Sequence, residues 1–213
     1  MDSLPPDPAR PAPEPGAAER TSTVVIGSGL SGLAVASELS RRGIDAIVVE
    51  SVECSDSGAL RTVMTDSASL SERTELMRLL RGYATAHSID VRQTTVAEQL
   101  CIIGHPRILP TPVERKKWAV QTAGGVLLAD HVVLTKFPQN ELRRLLRSMD
   151  IAIGRDVREA LRAIGLYLVG VGELLAPSTR EIVRQAKLVS DAIVEQGPSA
   201  LDRVGPRPAI SPR

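Results

Sequence analysis

Thr23-Val24-Val25-Ile26-Gly27-Ser28-Gly29-Leu30-Ser31-Gly32-Leu33-Ala34 is the stretch on which the reading of the chain turns. Val24-Val25-Ile26 is β-branched and lacks polar alternation, the pattern of a parallel strand covered on both faces. Leu30, Leu33, Ala34 and Ser37 then recur at helical spacing, and Gly43 stands where a helix would stop. Ala46-Ile47-Val48-Val49 repeats the buried-strand pattern and completes a β-α-β unit. Gly27-Ser28-Gly29-Leu30-Ser31-Gly32 therefore falls between a strand and a helix, the context that gives G-x-G-x-x-G its meaning. The first glycine permits the tight turn, the second lets a pyrophosphate approach the backbone, and the third lets helix and strand pack closely. The helix N-terminus offers unpaired N–H groups and the positive end of its dipole, so no Lys or Arg is needed for the phosphates. Glu50 follows eighteen residues after Gly32, close to the roughly 20 expected of a carboxylate that holds adenosine ribose hydroxyls. It would repel a 2′-phosphate, which favours NAD or the ADP half of FAD over NADP. The bland alternative is a compact turn with a solvated strand-end acid, and it requires strand, helix and acid to coincide by chance.

Outward from this unit, the chain of 213 residues has room for one domain or one and a half. Lys plus Arg (26) and Asp plus Glu (25) balance to +1, so no global field draws it to nucleic acid or an anionic membrane. Aromatic residues make up 2% of the chain, too few for the stacking platforms of single-strand binders. No apolar run approaches the roughly 18 to 20 residues of a membrane span, and the proline-rich, acidic start is unlike an export signal. Cys54 and Cys101 lie far apart with no C-x-x-C spacing, which gives neither a disulfide framework nor a zinc knuckle. A reducing cytoplasm is the expected setting. Residues 1–20 carry six prolines and are expected to be a disordered tail, as are residues 197–213, leaving 21–196 as the folded domain.

Within that domain, Ser69 and Glu72 fit a capping box for a helix over Leu70 to His87. Short strands are predicted at Ile89 to Arg92, Val96 to Ile103, Trp118 to Thr122, Val126 to Leu128 and Val132 to Thr135, with a turn at Ala123-Gly124-Gly125. Asn140 fits the cap of a helix bearing Leu142, Leu145, Leu146 and Met149. A helix from Asp156 to Ile164, a buried strand over Leu166 to Val171 and a helix after Pro177-Ser178-Thr179 complete the pattern. The predicted fold is a Rossmann-like three-layer α/β domain for FAD or NAD, a parallel sheet with helices on both faces and a small antiparallel insertion at Trp118 to Thr135.

Thr23 to Glu50 resembles the FAD-binding opening of the flavin-containing monooxygenases and related flavoproteins with two dinucleotide-binding domains. The stretches around Leu76 to His87, Ile89 to Val96 and Trp118 to Val133 resemble the later FAD-domain segment of that family more loosely. The resemblance implies that backbone at Val96 contacts adenine. Gly165-Leu166-Tyr167-Leu168-Val169-Gly170-Val171-Gly172-Glu173 is similar to the family's second flavin-contacting stretch, which implies that Gly172 and Glu173 meet the ribityl chain and that the next helix aims its N-terminus at the isoalloxazine. The sequence departs from the family at three places. Glu173 stands where Asp is usual, and Leu134-Thr135-Lys136 stands for Ala-Thr-Gly. No second G-x-G-x-x-G occurs, and about thirty residues separate Thr135 from Gly165, too few for a nicotinamide-binding domain.

Other candidates for chemistry are weaker. His87, His105 and His131 have no carboxylate or cysteine at ligand spacing, so no metal site is expected. Arg143, Arg144 and Arg147 with Lys136 form a basic helix face whose usual explanation is solvation. Ser28 and Ser31 belong to no legible Ser-His-Asp set. Two functional readings follow. The first is a FAD-dependent oxidoreductase, monooxygenase-like by resemblance, in which Gly27, Ser28, Gly29, Leu30, Ser31, Gly32 and Glu50 hold the ADP part. NAD(P)H would reduce the flavin directly or through an electron-donor partner, and a second subunit would cover the exposed flavin face; the small-molecule substrate is not legible. The second is a non-catalytic FAD- or NAD-holding module acting as a sensor or assembly element.

Overall fold

Apolar runs with no polar partner can be satisfied only by cover on both sides, and the sheet is arranged accordingly. The computed structural model describes residues 18–51, 67–103, 117–137, 139–149, 151, 157–171 and 177–197. The element order is β1 (Ala18–Ile26), α1 (Leu30–Arg41), β2 (Ala46–Ser51), α2 (Ser67–Ala86), β3 (Asp90–Ile103), β4 (Lys117–Thr122), β5 (Gly125–Leu134), α3 (Gln139–Ser148), α4 (Val157–Ala163), β6 (Leu166–Leu168) and α5 (Thr179–Gln196). Five strands pair in parallel in the spatial order β3-β2-β1-β5-β6. β4 runs antiparallel to the far half of β3 and to the near half of β5, closing the strands into a circuit on one side.

The side-chain period of two sorts the core. Val24 and Ile26 of β1 face Trp118, Val120 and Leu127 of the antiparallel strands together with Leu142, Leu146 and Leu161 of α3 and α4. Val25, Val48 and Val133 face the opposite side, against Leu30, Ala34 and Leu39 of α1 and Ile182, Ala186 and Ile193 of α5. Val24, Val25, Ile26, Val48 and Val133 are completely buried, each contributing about 1.5–3 kcal/mol from apolar burial. Trp118 is also fully buried and donates Nε1–H to the carbonyl of Ile164 at 2.8 Å, which joins the antiparallel strands to the end of α4.

α1 ends as its sequence predicts. Gly43 has φ of 69°, and the bonds Gly43 N to Ser40 O and Ile44 N to Leu39 O, both 3.0 Å, form a Schellman motif. α2 ends in the same way at Ser88, which has φ of 51° and donates to Thr85 O while Ile89 N donates to Ala84 O.

Several expectations are corrected. β1 begins at Ala18, inside the segment read as a tail, because Ala18, Glu19 and Arg20 pair in parallel with Val126, Leu127 and Leu128. The two strands expected at 89–103 are one, with a register shift that places Glu50 opposite Val96 while Val49 pairs with Arg92. Val126 to Leu128 and Val132 to Thr135 likewise merge into β5, and the small antiparallel part shares β3 and β5 with the parallel sheet. Ser69 and Asn140 lie inside the first turns of α2 and α3 and are not their caps.

Candidate functional site

The polypeptide turns from β1 into α1 at the point where the sheet continues to β2 on one side and to β5 on the other. Such a switch point leaves a crevice outside the carboxyl end of the central strand. Two of its three glycines are held by sterics that allow no side chain. Gly27 has φ of 109°, and a Cβ there would lie 2.5 Å from Thr135 Oγ1. A Cβ on Gly32 would fall 1.8 Å from the carbonyl oxygen of Gly27, so this glycine is what lets the first turn of α1 lie on the loop. Gly29 is the opposite case. It is the N-cap of α1 with no side-chain cap bond, its backbone is extended at φ −71° and ψ −169°, and a Cβ added there would meet nothing within 4 Å. The two crowded glycines serve the fold, and the third faces open space at the end of a helix whose first N–H groups have no intrahelical acceptor.

Thr135 locks this loop. Its Oγ1 donates toward the carbonyls of Ile26 at 3.0 Å and Gly27 at 3.1 Å, and its N–H donates to Ile26 O at 2.9 Å. Gly27 N–H reaches across to Val49 O at 2.8 Å. Lys136 makes the turn after β5 without a left-handed backbone and is exposed, so its bulk does not prevent the close approach of the β5 end to Gly27.

Glu50, at the end of β2, is brought to the same loop. Ser28 Oγ donates to Glu50 Oε1, which fixes the carboxylate beside the glycines. Val96 is its partner across the sheet, on β3 after the register shift. Gly27, Ser28, Gly29, Leu30, Ser31, Gly32, Glu50 and Val96 thus gather around the carboxyl ends of β1 and β2. Gly172, Glu173, Cys54 and His105 lie outside the described residues.

A second wall comes from within the stretch Gly165 to Glu173 that the resemblance singles out, and from the start of α5. Gly170, with φ of 68°, brings the exit of β6 against the glycine loop, so that a Cβ there would lie 3.6 Å from Ser31 Oγ and 3.6 Å from Pro177. Its N–H donates to Gln185 Oε1 at 3.1 Å, and Gln185 Nε2 donates to Glu181 at 2.8 Å. Arg184 and Gln185 bond the Glu181 carboxyl and hold its pKa down to about 2. Ser178 caps α5, accepting from Glu181 N–H at 3.2 Å. α2 braces the same corner: Arg73 Nη1 donates to Pro177 O at 2.7 Å, and Thr179 Oγ1 donates to Glu72. The signal available in sequence was the Ser178-x-x-Glu181 spacing, but the contacts from α2 span about a hundred residues and leave no local pattern.

The remaining candidates lie apart from this cleft. His87 stacks on Tyr83 with centroids 4.0 Å apart, and buried His131 packs against Tyr167 at 5.9 Å. Among the described residues no group of His, Cys, Asp or Glu is placed to hold a metal ion, and no helix is long and apolar enough to cross a membrane. Arg144 on α3 pairs with Glu141 at 3.7 Å on an exposed face.

Comparison with known proteins bears on the family and the fold. Residues 20–167 match the family described as FAD binding domain. No curated protein matches the sequence. Among solved structures, THI4 of Thermovibrio ammonificans is similar with a TM-score of 0.52 at 15% identity, over 83% of this chain and 90% of that one. The thioredoxin reductase of Gloeobacter violaceus gives 0.34 at 15% identity, over 55% of this chain and 36% of its own. The p-nitrophenol 4-monooxygenase PnpA of Pseudomonas putida DLL-E4 gives 0.38 at 16%, over 57% and 42%. The chain thus spans most of the first structure's length and less than half of the other two. By the extent of its match, the chain belongs to the FAD binding domain family.

Proposed function

We propose that this member of the FAD binding domain family is a FAD-dependent oxidoreductase, monooxygenase-like, that takes electrons from NAD(P)H or from a protein partner. The observation that carries the reading is the contrast within the glycine loop: a Cβ added at Gly27 or Gly32 would fall 2.5 Å or 1.8 Å from its nearest neighbour, while one added at Gly29, at the helix N-terminus, would meet nothing within 4 Å. That contrast fits a group with a pyrophosphate. The N–H groups of Leu30, Ser31 and Gly32 would bind it, Glu50 would accept from ribose hydroxyls, and the Val96 backbone would flank the adenine. Gly172 and Glu173 would meet the ribityl chain. Bound flavin would supply the hydride and electron chemistry, and the protein orients the ring and excludes water. The helix dipole of α1 stabilises the phosphate charge without a basic side chain.

Absorbance between about 300 and 600 nm of the FAD-supplemented, desalted protein tests this. Flavin bands are expected in the parent and absent in Gly29→Asp, whose carboxylate would occupy the phosphate position. Absence of bands in the parent overturns the reading. A second reading, a dinucleotide-holding module without turnover, is favoured by the single G-x-G-x-x-G in the sequence. Anaerobic titration with NADH and NADPH separates the two: bleaching of the flavin supports the oxidoreductase, and a flavin that neither donor nor partner extract reduces supports the module.

A further inference from the structure

The last bond between β5 and the exit of β6 is made by Val169, whose N–H donates to Leu134 O at 3.0 Å. Gly170 therefore carries the next N–H beyond the sheet, and with φ of 68° its backbone turns left-handed there. A partly buried donor at such a point needs an acceptor from outside the ladder. α5 supplies it: Gln185 Oε1 accepts from Gly170 N–H at 3.1 Å, while Gln185 Nε2 donates to Glu181 Oε1 at 2.8 Å. The second bond decides which end of the amide faces Gly170, because an ionised carboxylate accepts only from the nitrogen. Glu181 is held in turn by two bonds of 2.8 Å from Arg184. α5 is itself fixed to α1 and α2. Ile182, Ala186 and Ile193 are buried with Leu30, Ala34 and Leu39 of α1, Arg42 Nη2 meets Asp191 at 2.6 Å, and Arg73 reaches Pro177 O at 2.7 Å. The path from the glycine loop through α1, α5 and Gln185 thus returns to that loop, since a Cβ at Gly170 would lie 3.6 Å from Ser31 Oγ.

We propose that Gln185 is a positioning residue of the cleft: it holds the exit of β6 over the glycine loop, and so sets the space for the half of FAD that ADP lacks. The inference rests on the reading of the cleft as a FAD site. Glu50 and Val96 stand on the β2–β3 side of the loop and Gly170 on the β5–β6 side. With the ADP half taken up by Glu50 and the N-terminus of α1, the flavin half extends toward Gly170. A binding wall is only as exact as the hydrogen bonds behind it. Gln185 acts through the backbone N–H of Gly170, and its loss leaves that donor without this acceptor and the left-handed turn without its tie to α5.

Titration of the full chain with FAD and, separately, with ADP, followed by flavin fluorescence and calorimetry, tests it. The parent is expected to bind both. Gln185→Met keeps the length of the side chain and neither bond; it should weaken FAD by about tenfold or more and leave ADP within about twofold. The double exchange of Glu181→Gln with Gln185→Glu keeps one amide and one carboxylate at the two positions, with an acceptor still facing Gly170. It should return FAD affinity to within about threefold of the parent. Gln185→Ala carries the same expectation should Gln185→Met not fold. FAD affinity unchanged in the single variants, ADP weakened as much as FAD, or an exchange variant no better than Gln185→Met would each overturn this inference alone. A parent that binds ADP but not FAD overturns the reading of the cleft on which it rests.

Discussion

Single atoms decide what each glycine of the loop tolerates. A methyl group on Gly32 meets a backbone oxygen at 1.8 Å, and neither partner can give without parting helix from strand. Gly32→Ala is expected to destabilise the protein by about 3 kcal/mol or more, at the upper end of overpacking costs, with urea unfolding as the measure. Gly29→Asp should behave differently. The added Cβ meets nothing within 4 Å, and the side chain occupies an N-cap that has no cap bond, so unliganded protein should keep its stability or gain a few tenths of a kcal/mol even as flavin binding is lost. Loss of both together would mean that the loop, and not the phosphate position, was damaged. Tyr167 supplies a pH signature. Burial pushes its pKa up to about 12, with Arg162 lowering and Glu195 raising it by smaller amounts. Because the folded form keeps its proton while the unfolded tyrosine loses it near 10, stability is fully present below pH 10 and falls as pH rises to about 12. Tyr167→Phe should flatten that part of the curve relative to the parent, measured by denaturation at pH 9, 10 and 11.

Helix and strand ends show where local chemistry governs and where it yields. Ser88 occupies a left-handed position at the end of α2 that Gly43 fills at the end of α1. Ser88→Gly should stabilise the protein by about 0.5–1 kcal/mol, since the strain of the left-handed backbone outweighs the added freedom of the unfolded chain; a lowered melting temperature would refute this. The elements that a sequence reader recovers are those with a local cause: the β-branched run before Gly27, the stop at Gly43, the acid at Glu50. β3 is read as two strands because Gln93, Thr94 and Thr95 break the apolar pattern, and those residues fall where the register against β2 shifts between Arg92 and Val96. The start of β1 is hidden for a related reason: Glu19 is polar because it meets Arg92, bonded at 2.7 and 2.8 Å, while Arg92 also holds Asp90. Thr135 was visible only as a residue in place; its grip on Ile26 and Gly27 depends on a pairing more than a hundred positions long.

Across the whole molecule, the antiparallel strands pack on the α3–α4 layer, and the Trp118 indole adds a hydrogen bond between them. Trp118→Phe would leave a void and an unpaired carbonyl at Ile164, and is expected to cost about 2–4 kcal/mol, read as a shift of the denaturant midpoint with unchanged slope. A half-open pocket beside β6 is likewise a property of the assembled molecule, since its lining comes from α3, α4, β6 and α5, which no sequence window holds together. The closed strand circuit also has a consequence in time. Among the described strands β1 is synthesised before the others, yet its second neighbour ends at Leu134 and its loop is bolted by Thr135. At about 5–20 residues per second, a nascent chain carries an unfinished nucleotide cradle for several seconds or more, and cofactor loading must wait until translation has passed that threonine.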